Sequence, residues 1–318
     1  MGYDHQNSAV DGFINFYKPS GMTSMEAVRR IKKLTGVSKK IGHAGTLDPL
    51  AKGLLPICVG KGTRLMENVL EGSKEYKVQI QLGAITETYD AEGEIRITGS
   101  ADGLCISDIE QCISTFIGKS EQIPPMYSAV KVNGKRLYKL AREGIEINRT
   151  PRPITIYDIH VLNFDKPLLT LMVQCGKGVY IRSLAHDLGQ RLGCGGFVTE
   201  LERLRCGSFE KSDAVTLLEL ETKTCHDGDG WIGCLEPIDF VLQGLRSVVV
   251  SDSNKPQLLN GMSVDIDFEP QEISMLESFR AYDTLGRFLA LVQCDHLTGL
   301  WKPFKVFNEN NISCYAPN

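Results

Sequence analysis

Alternation of apolar and polar positions is cleanest from Glu75 to Leu82, where Tyr76, Val78, Ile80 and Leu82 share one face and Lys77, Gln79 and Gln81 the other. A period of two predicts a strand buried on one side. Shorter apolar runs from Gly12 to Tyr17, Leu54 to Val59, Ile154 to Phe164 and Leu168 to Cys175 predict further strands. Helical spacing appears at Ala27, Val28, Ile31 and Leu34, directly after Thr23-Ser24-Met25-Glu26. A hydroxyl with a glutamate three residues on predicts a capping box, and Gly36 suits the position just past the helix end. Further helices are predicted from Ile106 to Ile117, begun near Ser107 and ended by Gly118, from Leu137 to Gly144, and from Ser183 to Leu192.

Two stretches break this rhythm. Pro124-Pro125-Met126-Tyr127-Ser128 interrupts it, and Asn133-Gly134 then predicts a hairpin. The segment to Arg152 carries cations and tyrosines (Tyr127, Tyr138) and reads as a projecting element suited to gripping a folded nucleic acid. From about Ser212 the chain turns acidic, with a loop at Gly228-Asp229-Gly230. After Phe240 come short strand-like runs at Ser247 to Val250, Ala281-Tyr282 and Phe288 to Val292, with Gly261 and Gly286 as turns. These predict a small all-β appendage.

Composition narrows the class. No apolar run approaches the ~18 residues that span a bilayer. Met1 to Asp11 lacks a signal peptide's apolar region, and Gln6 breaks a myristoylation motif. A soluble, cytoplasmic protein is expected. The 10 cysteines contain no C-x-x-C pair and form no zinc-type cluster with the 6 histidines; Cys225-His226 with Cys234 comes nearest. Reduced thiols and no metal site are expected. The net charge of −4 hides basic segments: Lys18 to Lys40 holds 7 Lys/Arg against 1 Glu, and Lys131 to Arg152 holds 7 against 2. Either these line a phosphate-binding face, or they are solvated helix and loop surfaces.

Candidate chemistry centres on Gly42-His43-Ala44-Gly45-Thr46-Leu47-Asp48-Pro49-Leu50-Ala51-Lys52-Gly53. Glycines let this loop turn tightly, and Pro49 restrains Asp48 to an extended conformation. Asp48 is either a catalytic carboxylate acting on a nucleotide, or it caps a helix or makes an Asx turn. Tyr76 is either core or the floor of a pocket. Gly60-Lys61-Gly62-Thr63-Arg64 reads as a flexible basic turn without P-loop spacing. In an extended segment Tyr180 and Arg182 project to one side, where an arginine lowers the pKa of a buried carboxylate that it pairs with.

Several segments in order resemble the bacterial-type (TruB-like) tRNA pseudouridine-55 synthase family. They are Lys18-Pro19-Ser20-Gly21-Met22-Thr23-Ser24, the Asp48 loop, Lys74-Glu75-Tyr76, and Thr86, Thr88 and Asp90. Pro125 to Lys131, Tyr138 with Ala141 to Ile145, Tyr180-Ile181-Arg182 and Leu204-Arg205 complete the set. The resemblance implies an α+β fold: a mixed, largely antiparallel sheet flanked by helices over residues 11–240, and a small β-rich PUA-like domain over 246–318. It implies Asp48 as the catalytic aspartate, Tyr76 stacking on the target base, Arg182 paired with the aspartate, Tyr180 and Leu201 lining the pocket, and His43 contacting the tRNA loop. Residues 124–152 become an insertion that closes over RNA, with Lys18, Lys131 and Arg142 gripping it. The implied partner is the T-stem loop of tRNA, met by a monomer with no guide RNA, no cofactor and no membrane. Lys52, Gly176 and Val179 depart from the family pattern, and Lys52 is expected to add a cation near the site. The C-terminal part carries 9 acids against 6 bases from Arg246 onward. Three other readings are a non-catalytic RNA-binding module, a guide-dependent subunit, and a glycosidase with Asp90 as second acid.

Overall fold

The structure, a computed structural model, describes residues 10–38, 40–132, 134–226, 228–268 and 277–307. Residues 1–9 of the N-terminal segment, Asn133 of the predicted hairpin and parts of the 246–318 appendage lie outside them. Strand β1 (Gly12–Lys18) runs through a Pro-Ser-Gly turn into helix α1 (Ser24–Thr35). Thr23 caps α1 by accepting from the Glu26 amide at 3.1 Å. Glu26 itself turns to Arg30 at 2.7 Å, so the forward half of the predicted box is the half that forms. Gly36 closes the helix in the left-handed region at φ 63°.

Next come β2 (Ile41–His43) and β3 (Lys52–Val59), with the Asp48 loop between them. The predicted flexible turn at Gly60 is instead an ordered 3-10 turn, Gly60–Leu65, leading into α2 (Met66–Glu71). Packing explains the order: a Cβ on Gly62 would meet the Gly12 carbonyl at 2.3 Å. Strand β4 (Lys74–Leu82) and the short ribbon β5 (Ala84–Ile85) with β6 (Arg96–Ile97) precede α3 (Ile106–Ser114). That helix starts at Ile106 as predicted and stops sooner, because Gly118 opens strand β7 (Gly118–Gln122) rather than capping it.

The hairpin β8 (Lys131–Val132) and β9 (Lys135–Arg136) leads into α4 (Leu137–Arg142). Then follow β10 (Arg152–Asp165), β11 (Leu168–Cys175), α5 (Ile181–Arg191), β12 (Gly196–Cys206), β13 (Phe209–Glu210), α6 (Leu217–His226) and β14 (Leu235–Glu236). The C-terminal part holds β15 (Ser247–Val249), α7 (Lys255–Leu259), β16 (Phe279–Tyr282), β17 (Phe288–Cys294) and β18 (Trp301–Val306).

Ten strands form one sheet in the order β14-β1-β3-β12-β4-β11-β10-β7, with β2 added to β3 and β13 to β12. Its neighbours are antiparallel except β3 and β12, which run parallel with Arg203 opposite Gly53. The apolar face of β4 (Val78, Ile80, Leu82) packs with Leu171 and Val173 beneath α1, α3 and α5, through Ile31, Ile109 and Leu184. Each such fully buried aliphatic side chain contributes about 1.5–3 kcal/mol.

The C-terminal strands form a separate sheet, β15-β16-β17-β18. It is not a loose appendage. Phe13, Leu54 and Phe209 of the large sheet share one buried cluster with Leu242, Tyr282, Phe288 and Phe307. Arg64 donates to the Val306 carbonyl at 2.5 Å and lies 4.7 Å from the Phe307 ring centroid.

Candidate active site

The loop between β2 and β3 is held from behind. Ser24 Oγ accepts from the Leu47 amide at 2.9 Å and donates to the Leu47 carbonyl at 2.8 Å. The Gly21 amide donates to the Pro49 carbonyl at 2.8 Å. Lys18 is wholly buried, and its ammonium donates to the carbonyls of Met22 at 2.7 Å, Pro19 at 2.8 Å and Pro49 at 3.4 Å. Its expected role as an RNA-gripping cation is thereby corrected: three carbonyls and the core enclose the charge, and it braces the loop. Burial pulls its pKa down to about 8, against the opposing pull of Asp48.

Arg203 secures the other side. Nε donates to the Leu54 carbonyl at 2.7 Å and Nη2 to the Gly45 carbonyl at 3.0 Å. The parallel pairing of β3 with β12 makes this possible, and it demands glycine at position 53. There φ is 108°, and a Cβ would lie 2.3 Å from the Arg203 carbonyl.

Arg182 does not extend from a strand beside Tyr180. Tyr180 is the N-cap of α5, and the helix begins at Ile181. Gln122 imposes this start: its side chain accepts from the Tyr180 amide at 2.8 Å and donates to the Tyr180 carbonyl at 3.0 Å. From the first turn of α5, Arg182 Nη2 donates to Asp48 Oδ1 at 3.0 Å, while Nε lies 2.8 Å from Oδ2 as an ion contact. Nη1 donates to the Thr88 carbonyl at 3.0 Å and sits 3.2 Å from Asp90 Oδ2. Nη2 also donates to the Tyr127 carbonyl at 2.8 Å, tying the root of the 124–152 insertion to the site.

One guanidinium thus serves two carboxylates. Burial raises the Asp48 pKa, Arg182 opposes it, and Asp90 adds to the rise. Arg182 lowers the pKa, as a paired arginine is expected to, yet the net direction is upward because desolvation and a second acid outweigh one shared cation. Asp90 is buried and does not face the cleft. Its carboxylate is occupied by Arg182, by the Thr88 hydroxyl at 2.6 Å and by the Glu92 amide at 3.1 Å. It offers no second acid for glycosidase chemistry.

Asp48 opens onto a cleft of about 310 Å³, whose walls include Tyr76, Lys74, Tyr180, Arg182, Leu201 and Arg203. Such a volume suits one nucleoside rather than a stretch of chain. Tyr76 both packs in the core and lines the cleft, so the two readings of it meet. Burial pushes its phenol up to about 12, leaving the neutral form to face a ligand. Burial also raises the Tyr180 phenol. His43 lies on β2 and is not among the cleft-lining residues; burial, then the Arg203 cation, lowers its pKa and keeps the ring neutral.

Lys131 and Arg142 project from the insertion, which has its own small core of Met126, Leu137 and Leu140. Arg142 and Arg136 stand 5.7 and 6.0 Å from the Tyr138 ring centroid. Lys52 points elsewhere, 3.6 Å from Glu200 and outside the cleft lining, so it adds no cation to the site. Arg203, Lys74 and Gln122 went unassigned in the sequence. A period-two count from Leu201 places Arg203 on the same face, and one from Tyr76 does the same for Lys74, but nothing comparable marks Gln122.

Fold and cleft together define a pseudouridine synthase. Similar solved structures include "Structure of H/ACA RNP bound to a substrate RNA containing 2'-deoxyuridine", with TM-score 0.71 and 25% identity over 93% of this chain and 85% of that one. A second is "Crystal Structure of a Cbf5-Nop10-Gar1 Complex", with TM-score 0.70 and 28% identity over 94% and 84%. Residues 32–181 match TruB family pseudouridylate synthase (N terminal domain), and residues 182–243 match the tRNA pseudouridylate synthase B C-terminal domain. Proteins named tRNA pseudouridine synthase B are similar along most of their length. The one from Clostridium novyi is 43% identical over 89% of this chain and 95% of its own, and one from Dehalococcoides mccartyi 40% over 94% and 97%. The chain belongs to the TruB family of pseudouridylate synthases.

Proposed function

We propose that the protein isomerises a T-loop uridine of tRNA to pseudouridine, with Asp48 as the catalytic carboxylate. The observation that carries this is the two-point contact of Arg182 on Asp48 at the wall of a nucleoside-sized cleft. In the reaction the bond from uracil N1 to ribose C1′ breaks, the base turns, and C5 bonds to C1′. C5 then gives up its proton and N1 takes one, so atoms and electrons balance without cofactor, metal or redox partner.

Asp48 either attacks the sugar or base, or removes the ribose 2′ proton. Both roles need an ionised carboxylate held in a water-poor cleft, which Arg182 provides by sharing its charge. Tyr76, neutral and lining the cleft, stacks on the uracil; with its phenol at about 12 it is poorly suited to taking the C5 proton as a base. Tyr180 and Leu201 complete the pocket walls. A stacked loop base hides its sugar, so the target is flipped out, and the neutral ring of His43 fills the gap.

The same reading has the enzyme acting in the cytoplasm as a monomer and without a guide RNA, although the similar structures are of an H/ACA RNP and a Cbf5-Nop10-Gar1 complex. The 124–152 insertion supports this, because its exposed Lys131 and Arg142 supply an RNA grip of the chain's own. Residues 246–318 are proposed to be a PUA-like domain, and 11–240 the catalytic one. Incubation of the pure protein with an unmodified T-arm transcript, followed by pseudouridine mapping, tests the activity and its independence of a guide. Conversion of one loop uridine without added RNA is expected; no product, or product only with a guide, would refute it.

A further inference from the structure

Among the described residues, Tyr89 is the one non-glycine residue with positive φ, at 62°. A bulky side chain there is strained, and such residues persist only where their surroundings hold them. Tyr89 sits between Thr88 and Asp90, the two residues that receive Arg182 Nη1. Its carbonyl accepts from the Val198 amide at 3.0 Å, and its ring stacks on His186 with centroids 4.0 Å apart and planes 15° apart.

His186 stands four residues after Arg182 on α5, so both side chains leave the same face of that helix. One face therefore grips three consecutive residues: Arg182 takes Thr88 and Asp90, and His186 takes the ring between them. The His186 Nδ1 atom is buried without a hydrogen-bond partner, which leaves packing on Tyr89 to set the plane of the ring. Burial, then Arg149, keeps the imidazole neutral, so the contact is a stack rather than a cation on a ring. Neither residue lines the cleft.

We propose that Tyr89 and His186 are positioning residues for the isomerisation: their stack fixes the Thr88–Asp90 turn, which aims the Arg182 guanidinium at Asp48. This rests on the reading that Arg182 orients a catalytic Asp48. Tyr89→Gly accepts the backbone angle freely and removes only the ring; His186→Ala removes the stack from the helix side. Single-turnover pseudouridine formation at saturating enzyme is expected to fall about 10- to 100-fold in both, as sub-ångström misplacement of a reacting group does. Binding of the T-arm transcript should stay within about 3-fold, while Tyr89→Phe and His186→Phe, which keep a ring in place, should return the rate to within about 3-fold of wild type.

Loosening Arg182 also removes part of what offsets the burial of Asp48, with Asp90 still repelling it and Lys18 too enclosed to move closer. The acid limb of the rate profile should therefore shift to higher pH in Tyr89→Gly. Wild-type turnover in Tyr89→Gly and His186→Ala, or a loss that the phenylalanine variants do not recover, would overturn the proposal while an inactive Asp48→Asn left the carboxylate reading standing. Turnover surviving in Asp48→Asn would overturn both.

Discussion

Replacing Arg182 by methionine keeps an unbranched stem in the core and deletes the guanidinium that touches both Asp48 and Asp90. The arginine is 4% exposed and Asp90 1%, so water cannot take over as counter-charge without opening the fold. Breaking a buried pair by removing one partner costs about 3–5 kcal/mol. For a chain of 318 residues each kilocalorie lowers the melting midpoint by about 1.5 °C, which places the expected drop at about 5–8 °C.

The deficit depends on pH in a defined direction. Burial already raises the Asp48 pKa, and without the guanidinium it rises further. A carboxyl whose pKa is higher folded than unfolded makes the folded state hold more protons, so stability falls as pH rises through that range. Arg182→Met should therefore lose the full amount at about pH 8 and visibly less at about pH 5, read by urea unfolding with wild type in parallel. Turnover should fall by more than about 100-fold because the carboxylate loses its orientation. A loss below about 1 kcal/mol at both pH values, or an equal deficit at both, would refute the shared-charge account.

Other outcomes follow from placement. Lys18→Met should leave tRNA affinity unchanged, whereas Arg142→Ala should weaken it and reduce the salt slope by about 1; equal effects in a filter-binding titration would return Lys18 to the surface. Between about pH 8 and the free-lysine value, folded Lys18 holds fewer protons than unfolded Lys18, so wild type should gain stability on Lys18→Met as pH rises through that window. Tyr76→Phe should retain most of the single-turnover rate and Tyr76→Leu little, since stacking needs the ring but not the hydroxyl; equal rates would remove the ring from catalysis. Arg64→Ala should lower the melting temperature by loosening the C-terminal sheet without changing turnover on a minimal T-arm; an unchanged melt would show that the apolar cluster alone holds the two sheets.

Legibility followed the range of the interactions. The strand from Lys74 to Leu82 and the cap at Thr23 were readable because alternation, propensity and capping are settled within a few residues. The core carboxylate could be proposed because glycines and a proline surround it. Lys18 was misread because nothing in a Lys-Pro-Ser-Gly turn marks the ammonium as folded inward onto the Pro19 and Met22 carbonyls, where the core encloses it. The start of α5, and with it the direction of Arg182, was set by Gln122, 58 residues before Tyr180. Arg203 carried no assignment until a parallel strand pair laid it against Gly53 and Gly45. For Arg182 and Arg203 a local pattern named the residue type, and a distant partner decided what the side chain does.

The central claim is tested most directly by Asp48→Asn, which is nearly isosteric and removes only the charge. Tritium release from C5 of a T-arm uridine, measured at saturating enzyme alongside transcript affinity, is predicted to be abolished while affinity stays within several-fold of wild type. Release at a rate near wild type would contradict the account.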